Sequence, residues 1–159
     1  MATRNPNVAV AGTKALAADA NSWAKGWVGY RERDFGGAVP ITTAMGETEI
    51  TSLTTVPTLV AGRRYKITGQ VRFDPATAAP IQTVLKLYAG ALQIDSHTWI
   101  THTGDTDGRM SVCAVLLAAS SAAMTFKMTA HCVTAASQFN LNNTAYTLGI
   151  MLIEDIGVG

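Results

Sequence analysis

Residues 64–74 read RYKITGQVRFD, and their spacing decides the fold. Tyr65, Ile67, Gly69, Val71 and Phe73 alternate with Lys66, Thr68, Gln70 and Arg72. Successive side chains of a strand point to opposite sides, so a period of two puts the first set on a packed face and the second on a solvated one. A helix would scatter both sets around its axis. This stretch is a β-strand with one buried side.

The same period recurs outward in both directions. GWVGYRER (26–33) alternates, with Val28 and Tyr30 on one face and Trp27, Gly29 and Arg31 on the other. Short strands are expected at 38–43 (AVPITT) and 48–53 (TEITSL), and longer ones at 81–88, 92–102, 109–118 and 123–133. Residues 138–141 and 144–154 complete the set. Turn chemistry separates them at Gly36-Gly37, DPATAAP (74–80), Ala89-Gly90-Ala91, TGDTDG (103–108) and Ala119–Ala122. In the last strand Leu148, Ile150 and Leu152 take one face and Met151 and Ile153 the other. Apolar residues on both faces suit a central strand or an edge covered by a neighbouring subunit. Glu154 and Asp155 then mark where the chain leaves the packed layer.

Regularly spaced short strands with no room for a helical crossover predict an all-β, antiparallel two-sheet sandwich of the jelly-roll type over residues 26–159. Residues 1–25 stand apart as an N-terminal arm. Thr13 to Lys25 suits a short helix, with Thr13 as its N-cap and Leu16, Ala20 and Trp23 at helical spacing. That helix is too short and weakly apolar to persist alone, so the arm is read as a docking adaptor.

At 159 residues the chain forms one domain with a sizeable core. Its charged fraction is only 14%, against about 25% in a typical soluble protein. A dispersed monomer keeps a charged, patch-free surface, so the composition calls for further surface buried in an assembly. A closed cyclic homo-oligomer is the expected form. Net charge is +1 and the only basic cluster is Arg63-Arg64-Tyr65-Lys66, a solvated strand face, so nucleic acid is not the expected partner. No apolar run approaches membrane-spanning length, and Val8 to Gly12 is too short for a signal h-region. The chain is expected to stay in the cytoplasm that makes it, without a membrane partner. Cys113 and Cys132 are expected as buried free thiols.

Reactive constellations are missing. His97 and His102 lie five apart on one strand and point to opposite faces, and His131 is likewise opposed to Cys132. A zinc site needs paired ligands at short spacing. Asp105-Thr106-Asp107-Gly108 begins like a calcium loop but lacks the third acid and the distal Glu, and it suits a hairpin turn. Asp95-Ser96-His97 has the residue types of a triad, but adjacent residues of one strand do not assemble one. Glu47 and Glu49 share a strand face and are read as solvated. No catalytic residue, metal ligand or cofactor is assigned. Trp27, Tyr30 and Trp99 are candidate interface residues, since strand aromatics serve as core or contact groups. An alternative use is the stacking of host glycans. Trp23 in the arm and Glu154 and Asp155 at the last strand complete the candidate interface set.

Four stretches in order, WAKGWVGYRER (23–33), TEITSLTTVPTLVAGRRYKITGQV (48–71), MTFKMTA (124–130) and LIEDIG (152–157), resemble a family of small virion proteins encoded by tailed phages of actinobacteria. The elements that carry the likeness are Lys25-Gly26 with Gly29-Tyr30, Thr51-Ser52-Leu53, Arg63 to Ile67, Thr125 to Met128 and Ile153 to Gly157. Ser52 stands where glycine is common in that family and Met128 where leucine is. The resemblance implies a virion structural part, either a head decoration protein on the capsid surface or a minor tail or baseplate protein, and with it a homotrimer. Its implied partners are the major capsid protein or tail proteins. It implies no catalytic, metal or cofactor residue.

Overall fold

The structure, a computed structural model, describes residues 26–33, 39–75, 80–102, 108–141 and 149–158. The expected arm and helix with Trp23, the Gly36-Gly37 turn, Thr103 to Asp107 and the 144–148 part of the last strand lie outside the described residues.

Ten strands are present among the described residues: β1 Trp27–Arg33, β2 Val39–Thr42, β3 Thr48–Glu49, β4 Arg63–Pro75, β5 Gln82–Ala89, β6 Leu92–Ile100, β7 Gly108–Leu117, β8 Phe126–Cys132, β9 Gln138–Leu141 and β10 Gly149–Val158. They form two sheets in which every pairing is antiparallel. Sheet A runs β1-β10-β4-β9-β2, with β7 on the other side of β4, and sheet B runs β3-β8-β5-β6. The chain is a two-layer antiparallel β-sandwich.

Strand β4 is the axis of sheet A. It pairs with β10 along Arg63–Gln70, with β7 along Arg64–Phe73, and at its far end with β9. Tyr65, Ile67, Val71 and Phe73 are buried, as the alternation requires. They meet Leu85, Leu87, Phe126, Met128, Ala130 and Cys132 from sheet B. Tyr65 keeps its hydroxyl satisfied by accepting a 2.9 Å bond from Val60 N–H. Gly69 lies in the middle of the buried face because Met128 needs its space. A Cβ there would sit 2.2 Å from Met128 Sδ and 3.0 Å from Val112 Cγ2. The absent side chain is a notch that lets one sheet key into the other.

The structure corrects four local expectations. The strand expected at 48–53 stops at Glu49, and Thr51–Leu53 turns as a 3₁₀ segment that drops Leu53 into the core. Of the thiols, Cys132 is buried but Cys113 is exposed. Cys113 pairs with Thr68 on the outward register of sheet A, where a small apolar residue needs no cover. The last strand does not end at Glu154 but runs to Val158. A register shift between Asp155 and Gly157 carries it past the acids, and Gly157 at φ 115° takes a conformation that side-chain-bearing residues rarely adopt. The faces of β1 also differ from strict alternation. A bulge between Trp27 and Gly29 inserts Val28, so Trp27 and Tyr30 fall on the same side.

One flank of the sandwich is closed by side chains rather than by a ladder. Asp95 and His97 of β6 face β7, the outermost strand on its side of sheet A. Asp95 Oδ2 accepts a 2.7 Å bond from Cys113 N–H, and His97 Nδ1 lies 3.0 Å from Ser111 O. A carbonyl only accepts, so the His97 proton in that bond is on Nδ1.

Candidate interaction surface

The registers of β1, β10, β4 and β7 lay out the outer face of sheet A row by row. One row holds Trp27, Glu154, Lys66 and Val115. The next holds Tyr30, Leu152, Thr68 and Cys113, and a third Glu32, Ile150, Gln70 and Ser111. Beyond the first, Gly157, Arg64 and Leu117 form the row nearest the end of the chain. Four strands at about 4.8 Å spacing and this run of rows make a mixed face roughly 20 Å on a side.

The charges on this face are largely occupied within the chain. Lys66 Nζ lies 3.9 Å from Glu154 on this face, and on the opposite register, at the end of the sheet, Arg63 Nε reaches Asp155 Oδ2 at 2.5 Å. Asp155 also accepts from Gly157 N–H at 3.0 Å, which fixes the bulge. The Arg63 guanidinium lowers the Asp155 pKa against the effect of partial burial. The two acids of the last strand therefore staple β10 to β4, in addition to any contact they make outside. Between these pairs the apolar side chains stay open. Val115 is 61% exposed and Leu117 55%, and at the β10 end Ile156 and Val158 are exposed as well.

The aromatic candidates do not assemble into one surface. Trp27 and Tyr30 stack at 5.3 Å between ring centroids with an interplanar angle of 17°, at the β1 margin of the outer face. Each ring covers a face of the other. Tyr30 donates to the Glu32 carboxylate, and its pKa is pushed up to about 12 by burial and then by that acid. Trp99 sits on β6 against the core side, edge-on to Phe73 at 6.0 Å and beside His97. Sequence alternation alone separated Trp27 from Tyr30; the bulge joins them, and Gly29 inside the strand is the one residue type that hints at it.

The outer face of sheet B has the opposite character. Glu47 accepts from Lys86, from Tyr88 at 2.6 Å and from Thr129 at 2.7 Å. Burial works against its ionisation, but these three donors outweigh it and bring the Glu47 pKa from 4.5 to about 2. Glu49 binds Lys127 at 3.3 Å and Thr54 at 2.9 Å. The two carboxylates expected as simply solvated instead anchor a cross-strand network over β3, β8 and β5. Their i, i+2 spacing was visible in the sequence, but their donors, about 40 and 80 residues downstream, became neighbours only through the sheet order.

Among the described residues no cluster of three or more His, Cys, Asp or Glu could hold a metal ion. No helix among them is long and apolar enough to cross a membrane.

No family model matches the chain and no curated protein matches it. Several solved structures align with part of it at low identity. A Stig cyclase of Fischerella sp. TAU aligns at 12% identity and a TM-score of 0.41, covering 70% of this chain and 59% of the cyclase. The chain thus spans about six-tenths of the length of the cyclases it matches. The CBM22-1 xylan-binding domain from Paenibacillus barcinonensis Xyn10C aligns at 8% identity and a TM-score of 0.37, covering 82% of this chain and 96% of that domain. A chain of infectious bursal disease virus Gx strain aligns at 11% identity and a TM-score of 0.37, covering 80% of this chain and 36% of the viral one.

Proposed function

We propose that this chain is a non-enzymatic structural component of a phage virion, a homotrimeric decoration protein that bridges and stabilises major capsid protein subunits on the capsid surface. The observation that carries this reading is the outer face of sheet A. It combines open apolar side chains at Val115 and Leu117 with the Lys66–Glu154 pair already made inside the chain. Such a face gains free energy by being covered, and it desolvates few unpaired charges in the process. The low charged content of 14% and the resemblance to virion proteins support the same conclusion.

Residues 1–25 act in this reading as the adaptor to the shell. They precede Gly26, whose carbonyl accepts a 2.9 Å bond from Asp155 N–H, so the arm begins at the same end of sheet A as the open apolar side chains.

The test is co-sedimentation with capsid shells that lack the protein. The full chain is expected to sediment with them at saturating stoichiometry. A chain lacking residues 1–25 is expected to stay in the supernatant with its β-domain folded, as judged by far-UV circular dichroism. A truncated chain that binds shells as well as the full one would contradict the adaptor role, and a full chain that never binds would contradict decoration itself.

A further inference from the structure

The edges of sheet A are not protected in the same way, and the difference singles out β7. An exposed strand edge offers free N–H and C=O groups to any strand that can pair with them. The edge strand β1 carries a bulge and charged residues, and β2 is four residues long and contains Pro40. Each of these is a standard way of blunting an edge. Strand β7 has none of them. It is ten residues long, pairs with β4 without a register shift, contains no proline and holds one charged residue, Arg109. Long, flat, weakly charged strands of high β-propensity are the segments that add to other chains.

Ala118 N–H bonds to Arg63 O on β4, so the even-numbered residues of β7 turn their backbone groups toward β4. The odd-numbered residues turn theirs outward. The Asp95 and His97 side chains sit on that outward ladder, on Cys113 N–H and Ser111 O. One carboxylate takes a donor and one imidazole serves an acceptor, two residues apart on both strands. This is the polarity and spacing that an incoming strand would supply.

We propose that Asp95 and His97 close the β7 edge against strand addition by a second copy of this chain, and so confine association to the outer face of sheet A. The inference is independent of the virion role, because the guard acts on the isolated chain.

The test compares three full-length variants with the parent by light scattering, thioflavin T fluorescence and amide hydrogen exchange. Asp95→Ala/His97→Ala is expected to grow beyond the parent's association state with rising concentration and to bind the dye. Asp95→Asn/His97→Gln keeps an acceptor and a donor at the same places and is expected to behave as the parent. Adding Ser111→Lys to the alanine pair places a charge on the opened edge and is expected to suppress the growth. In the single variant Asp95→Ala, the Cys113 amide is expected to exchange at least tenfold faster. A folded alanine pair with the parent's association state would overturn the proposal, as would growth that Ser111→Lys leaves untouched. Should the alanine pair fail to fold, unchanged Cys113 exchange in Asp95→Ala would overturn it alone.

Discussion

At the scale of single residues, Gly69 and Glu47 show how differently sequence speaks about packing and about charge. The alternation in RYKITGQVRFD placed Gly69 on the buried face, and the structure shows why nothing larger stands there: Met128 Sδ occupies the volume of its missing Cβ. Gly69→Ala is expected to lower stability by about 1–3 kcal/mol, the usual cost of overfilling a packed core. Met128→Ala is expected to cost about 2–5 kcal/mol by leaving a cavity. The double variant is expected to lose less than the sum, since the new methyl enters the space that the thioether vacates; thermal denaturation of the four proteins measures the coupling. Glu47 makes a pH-dependent contribution. Its pKa is depressed to about 2 in the folded chain, so the contribution is complete above the usual carboxylate value and is lost as pH falls from about 4.5 to about 2. Glu47→Gln is expected to flatten the fall in melting temperature over that window. An unchanged slope would show that the Lys86, Tyr88 and Thr129 bonds do not hold in solution.

At the scale of elements, most of the strands were legible because each has its own period-two signature. What period cannot reveal is a residue that breaks it. The bulge at Val28 and the shift at Asp155 and Gly157 depend on which strand lies alongside, and those partners are distant: β10 lies about 125 residues downstream of the first, and β4 about 90 residues upstream of the second. The same gap explains why Glu154 and Asp155 looked like an exit from the sheet. Two adjacent acids after an apolar run resemble a strand end until Lys66 and Arg63 are known to stand opposite. The apolar residues on both faces of the last strand did point to its central place, now seen between β1 and β4. Amide exchange should report this position directly. Met151 and Ile153 are expected to exchange as slowly as Ile67, at the rate of global unfolding, while β2 and β3 amides open faster. Fast exchange at Met151 would place β10 at an edge.

At the scale of the whole molecule, composition asked for buried surface beyond the core, and the sandwich provides a face suited to it. The sequence could not say which face, because exposure of Val115 and Leu117 follows from β7 lying beside β4 with those residues turned outward. Light scattering of the purified chain is expected to give a stable trimer at micromolar concentration. Leu117→Asp, which charges an exposed position without touching the core, is expected to shift it toward monomer. A parent chain that is monomeric throughout would remove the trimer. Copy number decides whether the protein decorates a capsid. If the proposed role holds, quantitative mass spectrometry of purified virions whose genome carries the gene is expected to find the chain in a fixed ratio to the major capsid protein, at hundreds of copies per particle; a few dozen copies or fewer would contradict decoration and move the protein to the tail or off the virion.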